Sequence, residues 1–428
     1  MTIASSNFTI LGYGNYTGTP PTVLPAALQE LQMTGESLGY QTQSISSQNI
    51  NSSRQLSDTI TTGYDVSGGI QIEFAPKVYD KFLSAALWAG WQSTEVKTAS
   101  TTVVIDHDDS DEDTARTITM TGLFADEPTA AKLCPGQFFK LEAAASAGIP
   151  DALEGVYQVD EYIDADSATV KQVDGATPFA ASTTPTTDDK AKVTASMIRA
   201  PKDGSASEMI RQCFLLEKKQ SDLATPLYTY YSKCYVNTFS LSAQSAALLT
   251  GSIDFMGELS EMQEATKASG GGAYTAATSF NGFNAVSHVK EVIVNGVDLN
   301  GSSENGLYMQ GLDFQITNNL RGVKAIGNLG NIDTLAGQLG ITGNLNVFFE
   351  NKTMYTLFTE ETEFAFSFRV EDENGDGYVF SFPRVVISSD SMSSGGNDQD
   401  LIENMQWTSM FDETLETSMQ IDRLYGTY

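Results

Sequence analysis

Val66-Ser-Gly-Gly-Ile-Gln-Ile-Glu-Phe74, Leu249-Thr-Gly-Ser-Ile-Asp-Phe255 and Ile341-Thr-Gly-Asn-Leu-Asn-Val-Phe-Phe349 are three copies of one pattern. In each, a glycine leads a short run in which apolar and polar residues alternate, and an aromatic residue closes it. A period of two sends alternate side chains to opposite faces of a strand. Ile70, Ile72 and Phe74 therefore share a face, as do Ile253 with Phe255, and Leu345 with Val347 and Phe349. The opposite face carries Gln71, Glu73, Ser252, Asp254, Asn344 and Asn346. Such strands predict a sheet with one side in a core and the other in water. Helix-like runs follow the first and third copies at once, Lys77 to Leu87 and Asn351 to Thr359. A strand with a covering helix, used at least twice, predicts an internally repeated β-rich core.

The 428 residues suffice for two or three domains. Abundant Gly, Ser and Thr and scarce helical periodicity point to a mainly β chain with many turns. The formal net charge is −30, from 54 acidic and 24 basic residues. Binding to a phosphate backbone requires clustered Lys and Arg, so an ordinary DNA-binding role is excluded. An acidic balance keeps a protein soluble, and on an inner wall it would repel a passing polyanion. Cys134, Cys213 and Cys234 are odd in number and far apart, which fits a reducing compartment and neither a disulfide framework nor a zinc site. The first residues, Met1-Thr-Ile-Ala-Ser-Ser-Asn, have no basic region and no apolar region of a signal peptide, and the apolar stretch Phe82 to Trp91 is too short to span a bilayer. No membrane insertion is expected.

Residues 1–35, rich in Gly, Tyr, Thr and Pro, read as an N-terminal arm or loop. A core is expected over 36–96 and 200–387. Between its parts, residues 97–199 hold short β runs at regular spacing, among them Thr101 to Ile105, Thr117 to Thr121, Gln137 to Leu141, Gly155 to Val159 and Ala168 to Val173. That texture predicts a small inserted barrel or sandwich. Its 18 acidic and 8 basic residues hold about a third of the net charge, as suits an outward-facing decoration. Pro226 to Leu241 alternates well and is expected to be a bent partner of Leu249 to Phe255. Residues 266–282 read as a flexible connection. Phe364 to Val370 and Tyr378 to Ile387 form the clearest hairpin, turning at Asp372, Glu373, Asn374, Gly375, Asp376 and Gly377. Residues 388–428, with Trp407, Met410 and Phe411, read as a C-terminal arm that docks on something.

The catalytic inventory is thin. Asp372, Asn374, Asp376 and Gly377 match the first half of a calcium loop, but its twelfth position is Pro383, where the site needs a bidentate Glu, and strands flank it. The run Asp106 to Asp113 around His107 reads as a solvated acidic loop. Neither His107 nor His288 accompanies a nucleophile motif, and no phosphate-binding loop is present. No cofactor, metal or enzymatic activity is expected. Tyr228, Tyr230, Tyr231, Tyr235, Phe364, Phe366 and Phe368 could stack on sugars, although alternating positions favour a sheet core or an interface.

Ser53-Arg-Gln-Leu-Ser-Asp-Thr-Ile60, Val66 to Phe74, Tyr79-Asp-Lys-Phe-Leu-Ser-Ala-Ala-Leu87, Val236-Asn-Thr-Phe-Ser-Leu241 and Thr250-Gly-Ser-Ile-Asp-Phe-Met-Gly257, taken in order, resemble the tail tube proteins of long, non-contractile-tailed bacteriophages. The likeness covers roughly 36–96 and 200–428, and 97–199 is similar to a small β insert of some members. It implies a two-sheet β-sandwich with a flanking short α-helix that forms a barrel on assembly. In that family such subunits make hexameric rings stacked as a hollow tube for the genome, and loops and arms bridge the rings. The resemblance further implies a virion protein assembled in the host cytoplasm, with the tape measure, tail terminator and distal tail proteins as partners and DNA in transient passage.

On this reading Gln71, Glu73, Ser252, Asp254, Asn344 and Asn346 face the lumen. The turn at 372–377 contacts a neighbouring subunit, and Trp407, Met410 and Phe411 dock the C-terminal arm. Residues 350–428 carry 16 acidic and only 4 basic residues, so a partner surface must supply cations, with Arg321 and Lys324 as candidates, or ions must screen the segment. The rival expectation is a β adhesin or decoration protein that binds carbohydrate; a glycosidase-like enzyme is the third.

Overall fold

The first two repeat strands lie side by side. In the computed structural model Thr59–Glu73 pairs antiparallel with Thr250–Gly257, and Ile70 stands opposite Ile253. The structure describes residues 5–18, 21–49, 55, 58–92, 96–102, 104–105, 115–129, 131–143, 154–173, 190–205, 209–271, 274–277, 281–294, 297–298, 308–350, 352–393 and 400–425. The chain is mainly β, with large multistranded sheets and, among the described residues, two α-helices.

From one edge, the main sheet runs Gly39–Ser46, Thr59–Glu73, Thr250–Gly257, the second half of Leu227–Gln244, Met309–Thr317, Gly340–Phe348, Ile402–Ser409, Gly377–Ser393, Phe364–Glu371, Val289–Val294 and Val297–Asp298. The third repeat strand, Gly340–Phe348, is thus three strands from the second. The sheet folds back on itself: Phe314 packs against Phe368, Phe380 and Phe382, and Phe74 against Tyr378 and Phe380. Ring contacts between its two halves make it a sandwich whose layers are joined by continuous strands.

Ile70, Ile72, Phe74, Ile253, Phe255, Leu345 and Val347 are all buried in this core, as their period requires. Phe349 is past the strand end and partly exposed, so the alternation stops one residue early. Helices α1 (Asp80–Leu87) and α2 (Thr353–Thr359) form inside the helix-like runs, and α1 buries Phe82, Leu83, Ala85, Ala86 and Leu87 in the same core.

Leu227–Gln244 is bent as expected. Its second half pairs with Thr250–Gly257, and its first half with Phe214–Gln220 and Leu259–Gln263. Between the halves Lys233 has φ of 46°, a left-handed residue that turns the strand from one sheet into the next. Thr9–Asn15 pairs with Phe214–Gln220 and Leu28–Glu30, with Leu11 and Tyr13 buried. The segment read as an N-terminal arm is therefore largely sheet of its own chain. The connection read as flexible is tied down too: buried Glu217 accepts hydrogen bonds from Thr266 Oγ1, Lys267 N and Tyr274 Oη.

Strands in 96–199 match the expected β runs and enclose a separate cluster that includes Ile118, Phe124, Phe139, Leu141, Tyr157, Val159, Val170 and Val193. Their order is Val96–Thr102, Lys190–Arg199, Phe138–Ala143, Gly155–Tyr162, Ser167–Gln172, Ala115–Thr119 and Val104–Ile105. Among the described residues no pairing joins the first of these to the last, so the expected barrel is an open, curled sheet. Lys190–Arg199 also leaves it: Ser196 to Arg199 pair with Gln420–Leu424, which pairs in turn with Gly377–Ser393.

A polar sheet face as the candidate functional site

The six residues assigned to the polar face come together on one surface. Across six adjacent strands Gln71, Ser252, Ser240, Gln315, Thr342 and Thr408 stand opposite one another in turn. The next row is Glu73, Thr250, Ser242, Asp313, Asn344 and Gln406. A third aligns Gln244, Gly311, Asn346 and Asn404. Asp254 stands opposite Gly69 and Thr238. Antiparallel register keeps every such row on one side of the sheet. Gln71 and Glu73 are exposed, and Ser252, Asp254, Asn344 and Asn346 half-buried.

These rows hold Glu73, Asp254 and Asp313 and neither Lys nor Arg. Short side chains bond across the strands: Asn344 Nδ2 donates to Asp313 Oδ1 over 2.8 Å, and the Ser240 and Ser252 hydroxyls are 2.8 Å apart. Burial pushes the Asp254 carboxyl up from its ordinary value, which softens the charge there. Such a surface is hydrated, weakly acidic and without a cationic anchor for phosphate.

Two repeat glycines have a packing reason. A Cβ at Gly251 would meet the Ser240 carbonyl, and one at Gly343 would meet the Asp313 carbonyl and the Trp407 ring. Gly343 stands opposite Trp407, whose ring lies over it.

Ser240, Ser242, Asp313, Gln315, Thr342, Gln406 and Thr408 belong to the same face and were not assigned from sequence. The signal was present in their alternation with Phe239, Leu241, Leu312, Phe314, Ile316, Met405 and Trp407, all buried.

Trp407 is a correction. It is 1% exposed and packs edge-on against Phe366 and Phe382, so it belongs to its own chain's core and is not open to a neighbour. The segment read as a C-terminal arm supplies Ile402–Ser409 and Gln420–Leu424 to the sheets, because its alternation fits the gap beside Gly340–Phe348. Met410 is half-buried, its N donating to the Arg384 carbonyl, and Phe411 is exposed.

The turn at 372–377 is also held from within. Asp372 Oδ1 accepts from the Asn374 and Asp376 backbone N, Lys77 pairs with Asp376 at 2.6 Å, and Lys140 Nζ donates to the Gly375 carbonyl. Of its six residues only Glu373 and Asn374 stay exposed, with Asp372 half-buried and Gly375, Asp376 and Gly377 buried.

At one end of the face the excursion between Met309–Thr317 and Gly340–Phe348 leans on the Gly39–Ser46/Thr59–Glu73 hairpin. Lys324 pairs with Asp65 at 3.0 Å, and Tyr64 N donates to the Leu329 carbonyl. Lys324, a candidate cation for a partner surface, is thus engaged within the chain, while Arg321 is exposed. At the other end Glu403 is buried beside Asp390. Burial, the Asp390 charge and their mutual hydrogen bond push the Glu403 carboxyl up to about 7.

Sugar stacking lacks its rings: Tyr230, Tyr231, Tyr235, Phe364, Phe366 and Phe368 are buried, and Tyr228 is half-buried. His288 Nδ1 accepts from Asn284 N, and the three cysteines are buried thiols, Cys134 and Cys213 both pushed up to about 11 by burial. The Asp106 to Asp113 run lies outside the described residues. Among the described residues no helix is long and apolar enough to cross a membrane.

No curated protein matches the chain. A family model described as phage tail tube protein matches residues 9–409, which takes in the polar face, the curled sheet and most of the segment after 388. The chain belongs to the phage tail tube protein family, a structural family of the virion tail whose members assemble into a tube with other tail components.

Proposed function

We propose that the polar face is the inner wall of the tube, and that the chain builds hexameric rings stacked into the conduit through which DNA leaves a long, non-contractile tail. The observation that carries this reading is the six-strand surface of Ser, Thr, Asn and Gln with three acids and no base. Passage requires that the wall not hold the polyanion, and a wall without cations meets that condition. A cation-free wall also leaves the hydration of the passing DNA undisturbed. On this reading the tape measure protein fills the tube before ejection, the terminator and distal tail proteins close its ends, and assembly takes place in the host cytoplasm. Glu373 and Asn374 of the exposed turn, with Met410 and Phe411, are then the parts of the earlier interface assignments still open to a neighbouring subunit.

Electron microscopy of the purified protein tests the reading. Six-membered rings or tubes are expected; a protein that stays monomeric at all concentrations would remove it. Glu73→Lys with Asp254→Lys places two cations on the wall and is expected to yield virions that adsorb but deliver their genome poorly. Normal delivery by that double variant would remove the lumen assignment while leaving the tube.

A further inference from the structure

We infer that the two ends of the polar sheet are complementary docking surfaces for a second copy of this chain: the excursion at 320–335 is a head that seats on the opposite end of the same strands in the next subunit along the tube. This inference rests on the tube reading and adds to it the residues that join successive layers.

The head is apolar where a monomer has no use for it. Ile326, Leu329 and Ile332 are all exposed, Ile326 completely. They are not on a loose loop: Arg321–Val323 pairs with Asp333–Leu335, Lys324 pairs with Asp65, and the Tyr64 ring fills the space beside Gly330. An apolar group held in place by bonds on both sides is pre-organised for contact.

The far end has its own apolar group. Phe348 N bonds to the Tyr308 carbonyl, Phe349 N to the Leu401 carbonyl, and Met392 stands opposite Glu403. Tyr308 and Phe349 therefore flank the ends of Met309–Thr317 and Gly340–Phe348, Met392 lies near the same end of Gly377–Ser393 with Ile402–Ser409 between, and all three are exposed. The nine residues of Met309–Thr317 separate the two ends by about 30 Å at the usual rise of a strand.

Charge favours the same pairing. On the head Asp65 and Asp333 are taken up by Lys324 and Arg211, whereas Arg321 makes no ion pair among the described residues. The far end exposes Glu350 and Asp400 against Lys352. Two different surfaces at opposite ends of one subunit make a head-to-tail contact, which repeats without closing and grows a filament. The polar rows of one copy would then continue into those of the next.

The test uses the full chain and two end variants at exposed positions, Ile326→Asp/Leu329→Asp and Tyr308→Asp/Phe349→Asp, each checked for an unchanged thermal melt. Wild type is expected to grow tubes and each variant to stop at single rings. A mixture of the two variants retains one intact junction, so it is expected to give stacks of two rings and nothing longer. Tubes of wild-type length from either variant, or a mixture that stays at single rings, would overturn the inference without touching the tube reading. Wild type that forms neither rings nor tubes would remove both. Arg321→Glu is expected to raise the concentration needed for tube growth about 5-fold, an effect that shrinks at high salt; an unchanged threshold would strike out the charge component.

Discussion

The main sheet and the curled sheet of residues 96–199 enclose similar side chains by different routes. The curled sheet takes its cluster from one continuous segment, with Phe139 stacked on Tyr157. In the main sheet Phe74 meets Phe380, and Gly343 meets Trp407 from a strand that arrives some sixty residues later. Local closure makes the first a unit that can loosen by itself, whereas the second is complete only when its last strands are in place. The contrast has a functional side. The main sheet leaves one face polar and continuous over six strands, and the curled sheet is joined to it through Lys190–Arg199 and Gln420–Leu424.

The largest expected effect is in the main core. Trp407→Ala removes a ring wedged between Phe366, Phe382 and Gly343 and is expected to cost about 3–5 kcal/mol in chemical denaturation. A loss below 1 kcal/mol would mean that this strand is not integral to the sheet. Phe139→Ala should cost about as much in the curled sheet, yet hydrogen exchange should show faster opening there and little change in the main sheet; uniform acceleration would erase the distinction between the two regions.

A smaller effect is expected from Glu403. Its carboxyl, ordinarily near 4.5, is raised to about 7 in the folded chain, so between these values the folded state holds a proton that the unfolded state has released. Stability from this group is therefore present below pH 4.5, declines as pH rises, and is gone above about 7. Glu403→Gln should remove that slope, on the order of 1–3 kcal/mol between pH 5 and 8, and parallel profiles for variant and wild type would refute it. The smallest change belongs to the polar face, where Gln315→Ala should move stability by no more than about 0.5 kcal/mol. A large loss there would show the face to be packed against something within the chain.

Sidedness was legible in the sequence because it is local: a period of two decides which side chains of a strand travel together, whatever the strand pairs with. The repeat strands, the bent strand and the strands of 96–199 could be read in that way, and the polar residues Gln71, Ser252 and Asn344 could be separated from Ile72, Ile253 and Leu345; both helices were legible as local helix-like runs. Adjacency was not legible. That the first repeat pairs with the second and the third lies three strands away depends on which apolar faces fill one core, a matter of contacts between distant segments. For the same reason Leu11, Tyr13 and Trp407 read as parts of arms and are buried in their own chain's sheets. The alternation of Leu401 to Ser409 is that of any strand, and only the tertiary structure shows that the place it fills is its own.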